Sequence, residues 1–285
     1  MGRCAGRWIG SAQTDMSRTK TVIVAAMERE VWPLVRNWKV RAIEHGGRRY
    51  RLFESVFKNG DAALICGGIG AEAARRATEA VIREVKPARV ISAGFAGALD
   101  SASNGSLEIG QVLEPRTVIN AADGVRIEIG SGEGILVSSA IVAGKEQKAR
   151  LRKAYGANAV DMEAAAVAQG AEARGVEFGA LKAISDSADF SLPAMDRFVA
   201  NDGSFRSASF ALHVALRPWL WRTTIALARN SAKASRALCG ALVSYLGRES
   251  LGRQMLPDES LATAGNPREV GPEFVGADTG AKGKQ

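Results

Sequence analysis

Two hydrophobic periods alternate along this chain, and the changes between them mark its elements. Residues 20–27, KTVIVAAM, form an apolar run that predicts a buried strand. Residues 48–70, RRYRLFESVFKNGDAALICGGIG, read as a strand, a turn at Asn59-Gly60 and a second strand. AEAARRATEAVIREVKP (71–87) has apolar positions at helical spacing and a terminating Pro87, which predicts a helix. ARVISAGFAGALD (88–100) reads as a buried strand running into a glycine loop, and 110–121 and 124–139 as further strands. KEQKARLRKAYG (145–156) is a charged helix, ANAVDMEAAAVAQGAEARG (157–175) a strand end with an Ala-rich helix, and VEFGALKAISDSAD (176–189) a final apolar strand.

Strands that are apolar throughout and alternate with helices predict an α/β fold, a three-layer arrangement with a central mixed β-sheet flanked by helices on both faces. No linker divides residues 19–247, so they read as one domain. Residues 1–18 are polar and patternless, and 248–285 are rich in Gly, Pro, Glu and Asp; both are expected to be disordered.

Composition narrows the chemistry. Of 285 residues, 46% are hydrophobic and 24% charged, enough for a packed core. No apolar run approaches the ~18 residues of a membrane span, and no signal peptide is evident. Cys4, Cys66 and Cys239 are too few and scattered for a disulfide framework or a cysteine zinc site, which points to a reducing, cytoplasmic setting. With only His45 and His213, a multi-histidine metal site is not expected, and no cofactor is implied. The net charge of +8 reads first as solubility, with anionic lipid, nucleic acid or phosphate partners as the sharper options. Neither zinc-finger spacing nor aromatic-basic interleaving supports nucleic acid.

Gly67, Gly68 and Gly70 lie between a strand and a helix. They fit a tight structural turn, an anion or ribose site at a helix N-terminus, or, loosely, a dinucleotide site. The last would need an acid closing the next strand, and none comes before Asp100. Three acids do stand where apolar strands stop: Glu30 after TVIVAAMER, Glu163 after NAVDM, and Asp186 after ALKAIS. Each alone reads more readily as a cap or solvated turn residue. Together they occupy the end of an α/β sheet where ligands bind.

The segments VIVAAMEREV, GGIGAEAA, SAGFAGAL, VDMEAAAVAQ and KAISDSAD, in this order over residues 20–190, resemble the nucleoside phosphorylase superfamily. The similarity is greatest to its 5′-methylthioadenosine/S-adenosylhomocysteine nucleosidases. The resemblance implies a mixed sheet flanked by helices, often in a homodimer, and cleavage of the N-glycosidic bond of a purine nucleoside. It implies that Asp186 protonates the leaving adenine at N7, that Glu163 binds the ribose hydroxyls with Met162 packed on the sugar, and that Glu30 activates the attacking water. Burial or a neighbouring acid, Asp189 being nearest in sequence, is then expected to keep a proton on Asp186, with Ser185 or Ser187 as hydrogen-bond partners. Gly68, Gly70, Ser185, Lys182 and Val142 complete the expected binding set, with the second glycine segment, Gly94-Phe95-Ala96-Gly97.

The sequence departs from the nucleosidase pattern at three places. SSAIVAGKE offers Ile141 and Val142 where an aromatic ring usually stacks on adenine. Gly94-Phe95-Ala96-Gly97 replaces the usual Gly-Ser-Ala-Gly and removes a polar contact. Lys182 stands where Arg is common. Water and phosphate both remain open as nucleophile, with Arg29, Arg49 and Lys182 as cations for a phosphate.

Residues 203–248 contain no acid and carry Arg206, Arg217, Arg222, Arg229, Lys233, Arg236 and Arg248, beside Phe210, Trp219 and Trp221. Pro218 should break or start a helix here. Beyond it, Arg222, Arg229, Lys233 and Arg236 fall on one helical face, with Leu227, Leu238 and Leu242 on others. Such a helix suggests peripheral contact with an anionic membrane surface; the alternative is a domain-covering helix with a solvated basic face. GFAGALD, the DRFV stretch with Gly203 and Arg206, and the tail from LRPWLW to ALC resemble a bacterial branch of the superfamily associated with hopanoid biosynthesis, which removes adenine from the lipid adenosylhopane. That resemblance places a lipid-linked adenosine ahead of methionine-salvage substrates. A catalytically silent nucleotide- or lipid-binding module is the reading from another class.

Overall fold

The computed structural model describes residues 20–57, 60–100, 107–190, 198, 200, 203, 209 and 221–253, the segment 248–253 by its backbone alone. The expectations for residues 1–18 and for 254–285, and those resting on Asn59, Arg206, Phe210, Arg217, Pro218 and Trp219, lie outside the described residues. Residues 248–253, expected to be disordered, are helical, because they extend the last helix.

The strands are β1 (Lys20–Ala25), β2 (Lys39–His45), β3 (Arg48–Phe57), β4 (Gly60–Cys66), β5 (Arg89–Ala98), β6 (Val112–Leu113), β7 (Thr117–Asn120), β8 (Arg126–Glu128), β9 (Ile135–Ser138), β10 (Ala159–Asp161) and β11 (Glu177–Asp186). The helices are α1 (Glu28–Val35), α2 (Ala71–Val85), α3 (Lys145–Tyr155), α4 (Ala164–Glu172) and α5 (Trp221–Arg253). The strands form one mixed sheet in the order β2-β3-β4-β1-β5-β10-β9-β7-β8. It branches at β5, which also carries β11 and, through it, β6.

Core packing follows from β1 and β5, which are buried on both faces. Val22 and Val24 of β1 pack with Ala74, Ala77 and Val81 of α2 and Val167 of α4. Ile23 and Ala25 point the other way, toward Val31 and Val35 of α1 and Leu238, Leu242 and Leu246 of α5. Period-two alternation in a strand thus supplies two cores, and helices must cover both. This is the three-layer α/β arrangement expected from the sequence.

Two details position the site. β5 continues as strand through Ala98, so Gly94-Phe95-Ala96-Gly97 is strand, correcting the glycine loop read from the sequence. β11 runs parallel to β5 and its register shifts between Ile184 and Asp186, so Ser185 bulges and Asp186 stands opposite Gly97. Such a bulge re-aims the side chains that follow it.

Candidate functional site

A cleft opens where β1, β5, β10 and β11 end. It is lined by Met27, Arg29 and Glu30, by Phe95 and Gly97, by Ile141 and Val142, by Met162 and Glu163, and by Ser185, Asp186 and Phe190. Leu227 and Ser231 of α5 close one side. The structure therefore brings Glu30, Glu163, Asp186, Met162, Phe95, Gly97, Val142 and Ser185 together. Four other sequence-expected residues stand back from the cleft. Ala96 packs with Ala98, Leu113 and Ile184 in the core. Gly68 lies against the Gly203 carbonyl. Gly70 acts through its backbone, and Lys182 is buried behind the cleft floor. Arg49 is an exposed β3 residue opposite Glu44, outside the cleft lining.

At the floor, three acids surround one base. Lys182, 1% exposed, pairs with Asp161 at 2.8 Å. The Asp161 carboxylate also accepts from Ser138 Oγ at 2.6 Å and from the Ala164 N–H at 2.9 Å at the start of α4. Burial alone would push the Lys182 ammonium down; Asp161, Glu163 and Glu30 outweigh it and hold it above its ordinary range. Glu163 accepts from the Gly70 N–H at 2.8 Å. Gly70 has φ of 95°, a conformation open to glycine and strained for other residues, and this turn aims its N–H at the carboxylate. Loss of hydration raises the Glu163 pKa, and Asp161 adds to the effect.

Glu30, in the first turn of α1, is 3% exposed. Its carboxyl is raised from 4.5 to about 7, first by burial, then by Glu163, against the pull of Lys182 and Arg29. A methyl group at Gly94 would sit 3.1 Å from Glu30 Oε2 and 3.6 Å from Lys182 Nζ. β5 therefore leaves out a side chain where these two charged groups meet.

At the opposite end, Asp186 accepts from Ser185 Oγ at 2.7 Å and forms an ion pair with Lys148 Nζ. Lys148 also donates to the Ser187 carbonyl at 2.6 Å. Asp189, the neighbour expected to influence Asp186, instead pairs with Lys145 at 3.0 Å in solvent, because the turn after β11 carries it outward. A methyl group at Gly97 would lie 2.8 Å from Asp186 Oδ2 and 3.0 Å from Lys148 Cε. Glycine at 97 makes room for this pair, as Gly94 does for the other.

Sequence reasoning missed Lys148 and Asp161. Lys148 lies three residues before Leu151, and these two are the buried residues of α3. A lysine at core-facing spacing was the available signal, hidden by the charge of the rest of the helix. Asp161 closes an apolar strand two residues before Glu163, the same signal that marked the other acids. No cluster of His, Cys, Asp and Glu suited to a metal occurs among the described residues.

α5 covers the sheet through Ala234, Leu238, Leu242 and Leu246, all buried, and leaves Arg222, Arg229, Lys233 and Arg236 exposed. Trp221 and Ile225 at its start are about half exposed, at 49% and 53%. No described helix is long and apolar enough to cross a membrane.

The family model of the phosphorylase superfamily matches residues 20–134 and 129–215. A 5′-methylthioadenosine/S-adenosylhomocysteine nucleosidase of Staphylococcus aureus (strain NCTC 8325 / PS 47) is 27% identical, over 59% of this chain and 86% of its own length. Similar solved folds include the 5′-methylthioadenosine nucleosidase of Arabidopsis thaliana (TM-score 0.63, 21% identity, 81% of this chain and 96% of that one). The futalosine hydrolase of Helicobacter pylori strain 26695 is close behind (TM-score 0.61, 21% identity, 81% and 98%). With its sheet, its cleft and the match over most of its length, this chain belongs to the phosphorylase superfamily.

Proposed function

We propose that this protein hydrolyses the N-glycosidic bond of an adenine nucleoside and releases adenine. The observation that carries the reading is the convergence of Glu30, Glu163 and Asp186 on one cleft, with Glu30 titrating at about 7. Breaking the bond builds positive charge on the ribose and negative charge on the purine. Glu163, with Met162 beside it, suits the sugar hydroxyls and the developing cation. Asp186 suits proton delivery to the purine. A carboxylate poised near neutrality is an efficient base toward water. Lys182 is committed to Asp161 and Arg49 lies outside the cleft lining, which leaves Arg29 alone of the three expected phosphate cations in the cleft. One cation is a weak phosphate site, which favours water as nucleophile.

The 5′ substituent in this reading is apolar and lipid-linked, as in adenosylhopane. Phe95, Ile141, Phe190 and Leu227 give the cleft apolar walls, and the resemblance of the tail to the hopanoid-associated branch points the same way. Initial rates on adenosylhopane, 5′-methylthioadenosine and S-adenosylhomocysteine test it. The lipid nucleoside should have a kcat/KM at least about tenfold above the other two, since extra buried methylenes are each worth about 0.8 kcal/mol. A preference for 5′-methylthioadenosine would reassign the protein to the small-substrate nucleosidases. Binding without turnover of any of the three would make it a silent binding module.

The exposed Trp221 and Ile225 beside Arg222 and Arg229 suit a peripheral site on an anionic bilayer. The protein should sediment with phosphatidylglycerol vesicles at low salt and be released at high salt. No sedimentation at any salt concentration would remove membrane contact from the account.

A further inference from the structure

Lys148 has a place in the cleft that the roles above leave unused. It is 2% exposed, lines the cleft, and spends its ammonium on two acceptors, Asp186 and the Ser187 carbonyl. Both Asp186 oxygens act as acceptors in this arrangement, Oδ1 from Ser185 and Oδ2 from Lys148. An aspartate that accepts on both oxygens is using its ionised inventory and has no hydrogen of its own to give. The nearest transferable proton therefore sits on Lys148 Nζ. A buried charged lysine is costly unless it is paired, and its neighbour Lys145 is occupied by Asp189 in solvent. β5 adds to the arrangement with a glycine at 97, where a methyl group would sit 2.8 Å from Asp186 Oδ2 and 3.0 Å from Lys148 Cε and push this pair apart.

We propose that the proton received by the leaving purine originates on Lys148 and passes through Asp186. This rests on the hydrolytic reading above. As C1′–N9 breaks, its electron pair goes to the purine. Lys148 Nζ first gives a proton to the Asp186 carboxylate, leaving a neutral amine, and N7 then takes a proton from the resulting Asp186 carboxyl, which returns to its ionised form. The water oxygen bonds C1′ and gives its proton to Glu30. Transfer from Glu30 back to Lys148 through solvent resets both groups, and the sum is nucleoside plus water to adenine plus the free sugar. Lys148 acts through Asp186 and is thus a positioning residue that also holds the proton.

The test compares Lys148→Met, which removes the charge, and Lys148→Arg, which keeps the charge on a group that does not give up its proton. Substrates are 5′-methylthioadenosine, adenosylhopane and their N7-methylated forms, whose bases leave neutral without a proton. On the unmethylated substrate that wild type cleaves faster, both variants should lose about 100-fold or more in kcat, with KM within about threefold. On its methylated form both should regain at least about tenfold relative to wild type. An Arg variant with near-wild-type kcat would overturn the proposal, since charge alone would then suffice. So would a loss that methylation does not relieve, which would mark Lys148 as a packing residue. A wild type that releases no adenine from any substrate overturns the hydrolytic reading itself, and this proposal with it; an active wild type with unaffected variants overturns the Lys148 proposal alone.

Discussion

Replacing Asp186 with Asn should slow adenine release by roughly 10²–10⁴-fold, the usual contribution of a positioned acid or base. Asn has nearly the same shape and can still accept from Ser185, but it cannot pass a proton to the purine. The loss should fall on kcat and leave KM nearly unchanged, because in the proposed mechanism the sugar is held by Glu163 and Met162, which this substitution does not alter. The substitution also leaves the buried Lys148 without its counter-ion. Breaking such a pair commonly costs about 3–5 kcal/mol, so thermal unfolding must accompany the kinetics. A folded Asp186→Asn protein with activity within tenfold of wild type would remove Asp186 from the chemistry.

Glu30→Gln has the second large effect, and it acts in two directions. Activity should fall by a similar ~10²–10⁴-fold. In wild type, kcat/KM should rise with pH through an apparent pKa near 7, because the base works only when ionised. That acid limb should vanish from the residual activity of the variant. Stability should move the other way. The folded-state pKa of Glu30 is raised from 4.5 to about 7, so between those values the native protein holds a proton that the unfolded chain has released. Its stability then falls as pH rises through that window. The full cost of the ionised form, about 3 kcal/mol, is reached above pH 7. Gln carries no such cost, so the variant should be more stable than wild type at pH 8 and should lose most of that advantage at pH 4. Urea unfolding at the two pH values measures it. A variant less stable than wild type at pH 8 would mean that the ionised Glu30 is favourably held and that burial does not govern its titration.

How much of this was readable from the residues depended on whether packing or chemistry set the pattern. β1, the β3–β4 pair, α2 and β11 were legible because their apolar spacing is dictated by two-sided burial. β2 was not, because only Ile43 along it is buried and the strand is otherwise a polar edge. The glycines of β5 looked like a loop because glycine usually marks turns. Here Gly94 and Gly97 are absent side chains, clearing space for Glu30 beside Lys182 and for Asp186 beside Lys148. The three acids were legible by position at strand ends. Their partners were not, since Lys148 comes from α3 and Lys182 reaches Asp161 from a different strand. Sequence adjacency misled in the case of Asp189, which a turn of three residues carries into solvent. The basic face of α5 was read correctly as one face; the opposite face proved to be a cover over β11 and α1.

The central claim is hydrolytic release of adenine at this cleft, and the most direct measurement is free adenine formed by the purified protein in phosphate-free buffer. Adenosylhopane and 5′-methylthioadenosine are the substrates, and Glu30→Gln and Asp186→Asn the controls. The account predicts adenine and an equal amount of free ribosyl product from wild type, no acceleration on adding phosphate, and about 100-fold or more loss in both controls. Intact nucleoside in every wild-type reaction, or release at the wild-type rate by either control, would contradict it.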